Sequence, residues 1–270
     1  MKAIANEMIV TLYKEPDAAS ECIDEVLYGM VVDILEEINE TWVYVQTAYR
    51  YEGYCLKEQL LVDDKKANQW NEDAKHIIIQ NFADILTEPK IQSSKLATLA
   101  RGSLITLIEE PELDQEWSKV QLADGKIGYT RTYWIRNRIV ETLPEEEFRE
   151  KVVQTALSYL KTPYRWGGKT PLGIDCSGLC SMAYMLNGVY IYRDAQIVEG
   201  FPIKEISFEQ IQKGDLLYFP GHIAMYMGDG LYVHSSLGGN EVSINSLDAN
   251  HPQYREDLAT SITAVGSLFG

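Results

Sequence analysis

Nucleophilic chemistry in this chain falls to four cysteines, Cys22, Cys55, Cys176 and Cys180, and bases to four histidines, His76, His222, His234 and His251. One cysteine stands out by its setting. The run Tyr164-Arg165-Trp166-Gly167-Gly168-Lys169-Thr170-Pro171-Leu172-Gly173-Ile174-Asp175-Cys176-Ser177-Gly178 is a loop rich in Gly and Pro that delivers Cys176 to the first turn of a helix. Unpaired N–H groups and the helix dipole at such a point stabilise a thiolate. The expectation is a thiol pKa well below its free value of about 8.5. The same amides could hold a developing oxyanion. A small apolar residue packed at a helix start is the competing account of Cys176. Cys180, one turn on, reads as buried, because Leu179, Ala183 and Leu186 require this helix to pack. Cys22 and Cys55 read as core or surface thiols.

A cysteine nucleophile needs a base. His76 precedes the apolar run Ile77-Ile78-Ile79, and His251 precedes Pro252 in a polar loop; both read as incidental. His222 and His234 flank the hairpin signal Gly228-Asp229-Gly230. A loop of those three residues pairs Met227 with Leu231, Ala224 with His234 and His222 with Ser236, which puts both imidazoles on one face. A two-residue loop would put them on opposite faces. On the first register His222 accepts the Cys176 proton and later protonates a leaving amine, while His234 orients His222. Each histidine alone could equally be a satisfied structural residue. No His-x-x-x-His or CxxC cluster supports zinc, so neither metal nor organic cofactor is expected.

These residues need a helix packed on a sheet. The pattern predicts a helix over about 176–186 with Asp175 as N-cap. It predicts strands over 215–219, 222–227 and 231–235, an α+β arrangement. An earlier helix begins at Pro144 as its first residue, with Glu145, Glu146 and Glu147 in the first turn and Thr142 or Leu143 as cap. Phe148, Val152, Ala156, Leu157 and Leu160 follow at helical spacing. Upstream the chain repeats. Trp42 to Trp117 and Gly53 to Gly128 are both 75 positions apart, and Gly29 to Gly102 and Pro16 to Pro89 are both 73 apart. Short β-rich runs with turns between them predict two small β-barrels, at about 1–65 and 76–140, ahead of a third domain over 143–270. The arrangement resembles tandem bacterial SH3-like domains.

The 270 residues include 24 Lys plus Arg against 40 Asp plus Glu, a formal net charge of −16. Such a field repels nucleic acid and anionic wall polymers and favours a small or amine-bearing ligand, although a generic solvated acidic surface reads the same. No apolar run approaches the roughly 20 residues of a helical membrane span. The first residues show no basic segment followed by an apolar stretch, so a cytoplasmic protein is expected, with reduced thiols. A chain trimmed of a leader would look the same.

Taken in order, Tyr164-Arg165-Trp166-Gly167-Gly168, Asp175-Cys176-Ser177-Gly178, Gly214-Asp215-Leu216-Leu217-Tyr218-Phe219, Gly221-His222-Ile223-Ala224-Met225-Tyr226 and His234-Ser235-Ser236 resemble the NlpC family of papain-like cysteine peptidases. The likeness covers about 150–270. It implies an α+β papain-like domain in which Cys176 is the nucleophile, His222 the base and His234 the third polar residue. With two SH3-like domains in front, the chain is similar to the γ-D-glutamyl-L-diamino acid endopeptidases of murein peptide recycling, which cut stems bearing a free N-terminal L-Ala. That resemblance implies further roles. Asp194, in Tyr192-Arg193-Asp194-Ala195, pairs with the free α-amine of the substrate. Tyr164, Trp166, Asp175 and Ser177 line the subsite for L-Ala and D-Glu. Glu21 and Tyr51, with Tyr54 as a rival, close the pocket from the first barrel. The expected partner is a small murein peptide, with no nucleic acid and no membrane. The diamino acid and the oligomeric state stay open. Two other readings remain: a hydrolase or amidase acting on intact wall, and an inert wall-peptide binding protein.

Overall fold

The computed structural model describes residues 1–112, 114–141 and 143–270. They form two compact units, Met1–Arg138 and Ile139–Gly270.

The first unit opens with strands β1 (Lys2–Ala5), β2 (Ile9–Tyr13), β3 (Cys22–Leu27), β4 (Val31–Glu37), β5 (Trp42–Thr47), β6 (Glu52–Leu56) and β7 (Leu60–Val62). They make an antiparallel sheet of order β3-β2-β6-β5-β4-β1-β7. Alternation along each strand sends one face inward. Ala3, Val10, Val26, Val32, Val43, Cys55 and Leu60, one from each strand, share a single buried cluster, so the sheet curls around one core. After α1 (Asp64–Asp73) the pattern recurs in β8 (His76–Ile78), β9 (Phe82–Leu86), β10 (Lys95–Ala100), β11 (Leu104–Leu107), β12 (Trp117–Gln121), β13 (Ile127–Arg131) and β14 (Ile135–Asn137). Their order, β10-β9-β13-β12-β11-β8-β14, is the first order with each strand advanced by seven.

The repeated residues occupy matching places. Trp42 and Trp117 open β5 and β12, and Gly53 and Gly128 pair with Val45 and Val120. A Cβ on Gly128 would lie 2.7 Å from Ile85 Cγ2 and 2.8 Å from the Leu86 oxygen, and one on Gly53 would lie 3.0 Å from Leu12 Cβ. Glycine therefore lets β6 and β13 close onto β2 and β9.

The helix α1 is absent from the sequence expectations. Asp63 caps it, accepting the Lys66 N–H at 2.9 Å, and Trp70 donates Nε1–H to the Gly29 oxygen at 2.8 Å. The second sheet is tied to the same corner: Ala123 N–H donates to Tyr28 Oη at 2.7 Å, and Leu104 N–H to the Tyr28 oxygen at 2.9 Å.

The second unit contains α2 (Glu145–Leu157), the short hairpin β15 (Lys169–Thr170) and β16 (Gly173–Ile174), and α3 (Cys176–Leu186). It continues with β17 (Lys204–Ile206), β18 (Leu216–Phe219), β19 (His222–Gly228), β20 (Leu231–Ser236), β21 (Glu241–Ser246), the short α4 (Glu256–Ala259) and β22 (Ala264–Ser267). Six strands form an antiparallel sheet of order β17-β22-β18-β19-β20-β21, and α3 packs on β19 and β20. The start of α2 differs from expectation. Pro144 takes the cap position, with φ −52° and ψ 144°, so neither Leu143 nor a side-chain oxygen caps the helix. Thr142 lies outside the described residues. Leu160 falls beyond the end of α2 and is exposed.

Two contacts fix α2 over the sheet. Phe148 meets Tyr184 of α3 edge-on at 5.2 Å. The buried Arg149 guanidinium reaches Asp215 Oδ1 at 2.8 Å and the Lys213 oxygen at 2.9 Å. Asp215 is almost wholly buried. Among the described residues, removing Asp215 leaves the buried guanidinium with only the half-exposed Glu145, at 2.9 Å, as an ion partner. Asp215→Ala is expected to destabilise this unit by about 3–5 kcal/mol, read as a lower urea midpoint of its unfolding transition.

Candidate active site

Cys176 is the first residue of α3, as the pattern predicts, and Asp175 is the N-cap. Asp175 does more than cap. Oδ1 accepts the Gly178 N–H at 2.5 Å and the Ser177 hydroxyl at 3.1 Å, and Oδ2 accepts the Gly167 N–H of the glycine loop at 2.8 Å. Arg193 grips both oxygens, at 3.1 and 2.9 Å, and also donates to Ser177 Oγ at 2.7 Å. Arg193 and Asp175 are 1% and 8% exposed at the side chain, a bidentate pair sealed from water. Sequence reasoning assigns Asp175 two compatible roles, N-cap and, through the resemblance, subsite lining with Ser177; the structure shows both residues in a network that sets the direction of the helix start. Arg193 was missed, because nothing local distinguishes a guanidinium that ends in the core from a solvated one.

The Cys176 sulfur lies against the first residues of β19: the backbone N–H of Ile223 and that of Ser177 both point at it. His222 opens β19, and its Nε2 is 2.8 Å from His234 Nδ1. His234 is fully buried. The hairpin reaches this arrangement by a route that neither expected loop describes. Asp229 and Gly230, with φ of 52° and 74°, form a two-residue turn between Gly228 and Leu231. Positive φ at both central residues is the hairpin turn that matches strand twist. A bulge between Tyr226 and Gly228 then adds Met227 as an extra residue. Beyond it Tyr226 faces Tyr232 and Met225 faces Val233. That is the register of a three-residue loop, and it brings both imidazoles to one face.

A further member was missed. His234 Nε2 is 2.9 Å from Asn245 Oδ1 on β21. No spacing rule in the sequence connects Asn245 to the histidines, since β21 and its pairing with β20 were not anticipated.

The electrostatics correct one expectation. Cys176 is 7% exposed, and burial pushes its thiol up to about 11; the Asp175 carboxylate adds to this, while the Ile223 and Ser177 N–H groups and Arg193 pull the other way. Burial, then the neighbouring His234 and Arg255, brings His222 down to about 3. Burial brings His234 down to about 4, against the hydrogen bond that its Nε2–H donates to Asn245 Oδ1. Desolvation outweighs the helix start, so the pair rests as neutral thiol and neutral imidazole. Cys180 is wholly buried and its thiol is raised well above the usual value.

The remaining candidates fall in both units. Tyr164 is half-buried beside Cys176 and Asp175, and burial pushes its hydroxyl up to about 12. Trp166 is 60% exposed. Asp194 is half-buried and hydrogen-bonded to the Tyr192 hydroxyl. Glu21 and Tyr51 belong to the first unit: Glu21 accepts from Lys14 Nζ at 3.2 Å, and the Tyr51 N–H donates to Thr47 Oγ1 at 3.0 Å. The Tyr54 ring lies tilted against that of Tyr44, with centroids 4.7 Å apart.

Residues 161–260 match the NlpC/P60 family, and residues 12–60 match the bacterial dipeptidyl-peptidase Sh3 domain. The chain is 61% identical to dipeptidyl-peptidase 6 of Lysinibacillus sphaericus, over the full length of both. It is 25% identical to the gamma-D-glutamyl-L-lysine dipeptidyl-peptidase of Bacillus cereus, over 89% of this chain and 74% of that one. Among solved structures, an NlpC/P60 family protein from Bacillus cereus superposes with a TM-score of 0.79 at 20% identity, covering 98% of each chain, a likeness of fold.

The neutral resting pair has a measurable consequence. Because only the thiolate alkylates, the rate of iodoacetamide modification at Cys176 is expected to rise about tenfold per pH unit across roughly pH 6–9, followed by mass spectrometry. A rate already level from about pH 5 upward would show a preformed thiolate instead. Folding stability carries a second signature. His234, fully buried, and His222, partly buried, both bind protons less readily folded than unfolded, so the unfolded chain gains protons first as pH falls. Stability is complete above the ordinary value of 6.5 and declines from there toward about 3–4, seen as a falling urea midpoint.

Proposed function

Because this chain belongs to the NlpC/P60 family of cysteine peptidases, we propose that it hydrolyses the γ-D-Glu–diamino acid bond of free murein peptides with an N-terminal L-Ala, with Cys176, His222 and His234 as its machinery. The observation that carries the reading is the meeting of the Cys176 sulfur with the start of β19 beside the His222–His234 pair.

On this reading, with His222 Nε2 engaged by His234, Nδ1 takes the thiol proton as sulfur attacks the γ-carbonyl carbon of D-Glu. N–H groups at the start of α3 hold the negative oxygen of the tetrahedral intermediate. His222 then gives its proton to the departing amine of the diamino acid, leaving a thioester on Cys176. Water, deprotonated by His222, hydrolyses the thioester and releases L-Ala-D-Glu. Release of a dipeptide from a free amino end agrees with the dipeptidyl-peptidase names of two relatives.

Recognition is assigned to Asp194, whose carboxylate pairs with the substrate ammonium, and to Tyr164 and Trp166 on the loop leading to Cys176. A site built to hold an ammonium rejects an acylated amine, because its carboxylate is then left unpaired. Longer stems still joined to glycan are excluded in the same way. The formal charge of −16 also disfavours anionic wall polymers. The second seven-stranded sheet is assigned as a second SH3-like domain, on its identical strand order and its matching glycines.

Incubation with L-Ala-γ-D-Glu-meso-diaminopimelate or the lysine analogue is expected to release L-Ala-D-Glu, with N-acetylated peptides cut far more slowly. Cys176→Ala abolishes release. Asp194→Asn is expected to lower kcat/KM on the free-amine peptide about 10- to 100-fold, the worth of one charge-assisted hydrogen bond. Equal cleavage of free and acetylated peptides would reject the amine gate, and inertness toward both would reject the reaction.

A further inference from the structure

The hydrogen-bond chain through His222 and His234 ends on a backbone carbonyl, and that end dictates every proton position along it. The Gln253 oxygen accepts Asn245 Nδ2–H at 2.9 Å and the Ser246 N–H at 3.0 Å. A carbonyl oxygen only accepts, so the Asn245 amide nitrogen must face it and Oδ1 must face His234. Oδ1 is 2.9 Å from His234 Nε2 and also only accepts. Nε2 of His234 therefore carries the proton, and its Nδ1 is bare. That bare nitrogen is 2.8 Å from His222 Nε2, which must donate. The lone pair of His222 is thereby confined to Nδ1.

We propose that Asn245 is a positioning residue of the active site: anchored on the Gln253 carbonyl, it sets the tautomer of His234 and through it that of His222, so that the base toward Cys176 is Nδ1. The proposal rests on the reading of Cys176 and His222 as the reacting pair. Both rings are neutral at neutral pH, which is the condition under which a tautomer choice exists. The nearby charges are Arg255 and Asp257, which pair with each other at 2.8 and 2.6 Å. The ring of Tyr232 packs edge-on against His234 at 5.1 Å. When His222 takes the thiol proton, its Nε2–H still donates to His234, so the charge is met by an oriented acceptor and no proton has to leave the chain.

Two substitutions separate this role from a tether of β21 to the following loop. Asn245→Leu removes both the acceptor for His234 and the donor to Gln253. Asn245→Asp keeps the acceptor and loses the donor. The proposal expects Asn245→Leu to lower kcat at least about tenfold with little change in KM. It expects Asn245→Asp to keep most of the activity near pH 7. The aspartate also shifts the acid limb of the rate profile upward, because its charge stabilises a protonated His234. A mere tether predicts equal loss in both variants and overturns the proposal. The wild-type protein gives a reading independent of folding in the variants. Long-range proton–nitrogen correlation on histidine-labelled full-length protein is expected to show both rings as the Nε2–H tautomer, and an Nδ1–H tautomer in either ring overturns the proposal. Activity persisting in Cys176→Ala would instead defeat the reading of the reacting pair while leaving the tautomer result standing.

Discussion

Three pieces of chain must meet for this site to exist: the glycine loop after Tyr164, the first turn of α3, and the segment around Arg193. They meet on the carboxylate of Asp175, which accepts from Gly167, Ser177 and Gly178 and is gripped by Arg193. A buried ion pair is tolerable only when its lone pairs and protons are satisfied, and here every donor comes from an element that needs fixing. Cys176 is the next residue, so the same network sets its direction, together with Ser235 of β20, whose hydroxyl donates to the Ile174 oxygen at 2.6 Å. The same carboxylate raises the cost of ionising the sulfur it positions, and Arg193 offsets part of that cost.

On the proposed reaction, burial works against an early charge separation, since it pushes the Cys176 thiol up and the His222 imidazole down. Stabilisation would then fall at the step in which sulfur attacks and His222 takes its proton, where the acceptors His234 and Asn245 and the backbone N–H groups come into use. Burial supplies both effects. It excludes water from the sulfur, and it makes each remaining dipole count for more.

How much of this was legible depended on how local each signal was. The capped helix bearing Cys176 was readable because cap, loop glycines and apolar spacing all lie within a short stretch. The duplicated sheets were readable from Trp42, Trp117, Gly53 and Gly128, since glycines forced by close strand approach recur wherever the topology recurs. Arg193 and Asn245 were not legible as partners, because their roles come from pairings across sheet and loop that no spacing encodes. The helix α1 escaped because its buried face has only Ala67 and Trp70, too few residues to show a period. The pKa of Cys176 ran against expectation because a helix terminus is visible in sequence and the depth of its burial is not.

The bulge at Met227 bears on how this gene can change. Hairpin tips at the surface are ordinarily where insertions and deletions accumulate without harm. Here the bulge takes up the odd residue: Met227 stands outside the pairing, while Tyr226 stays opposite Tyr232 and Met225 opposite Val233. A codon lost at Met227 would leave those partners as they are, whereas one lost between His222 and Met225 would turn the two imidazoles to opposite faces. Length is therefore free to vary at the tip and is bound below it.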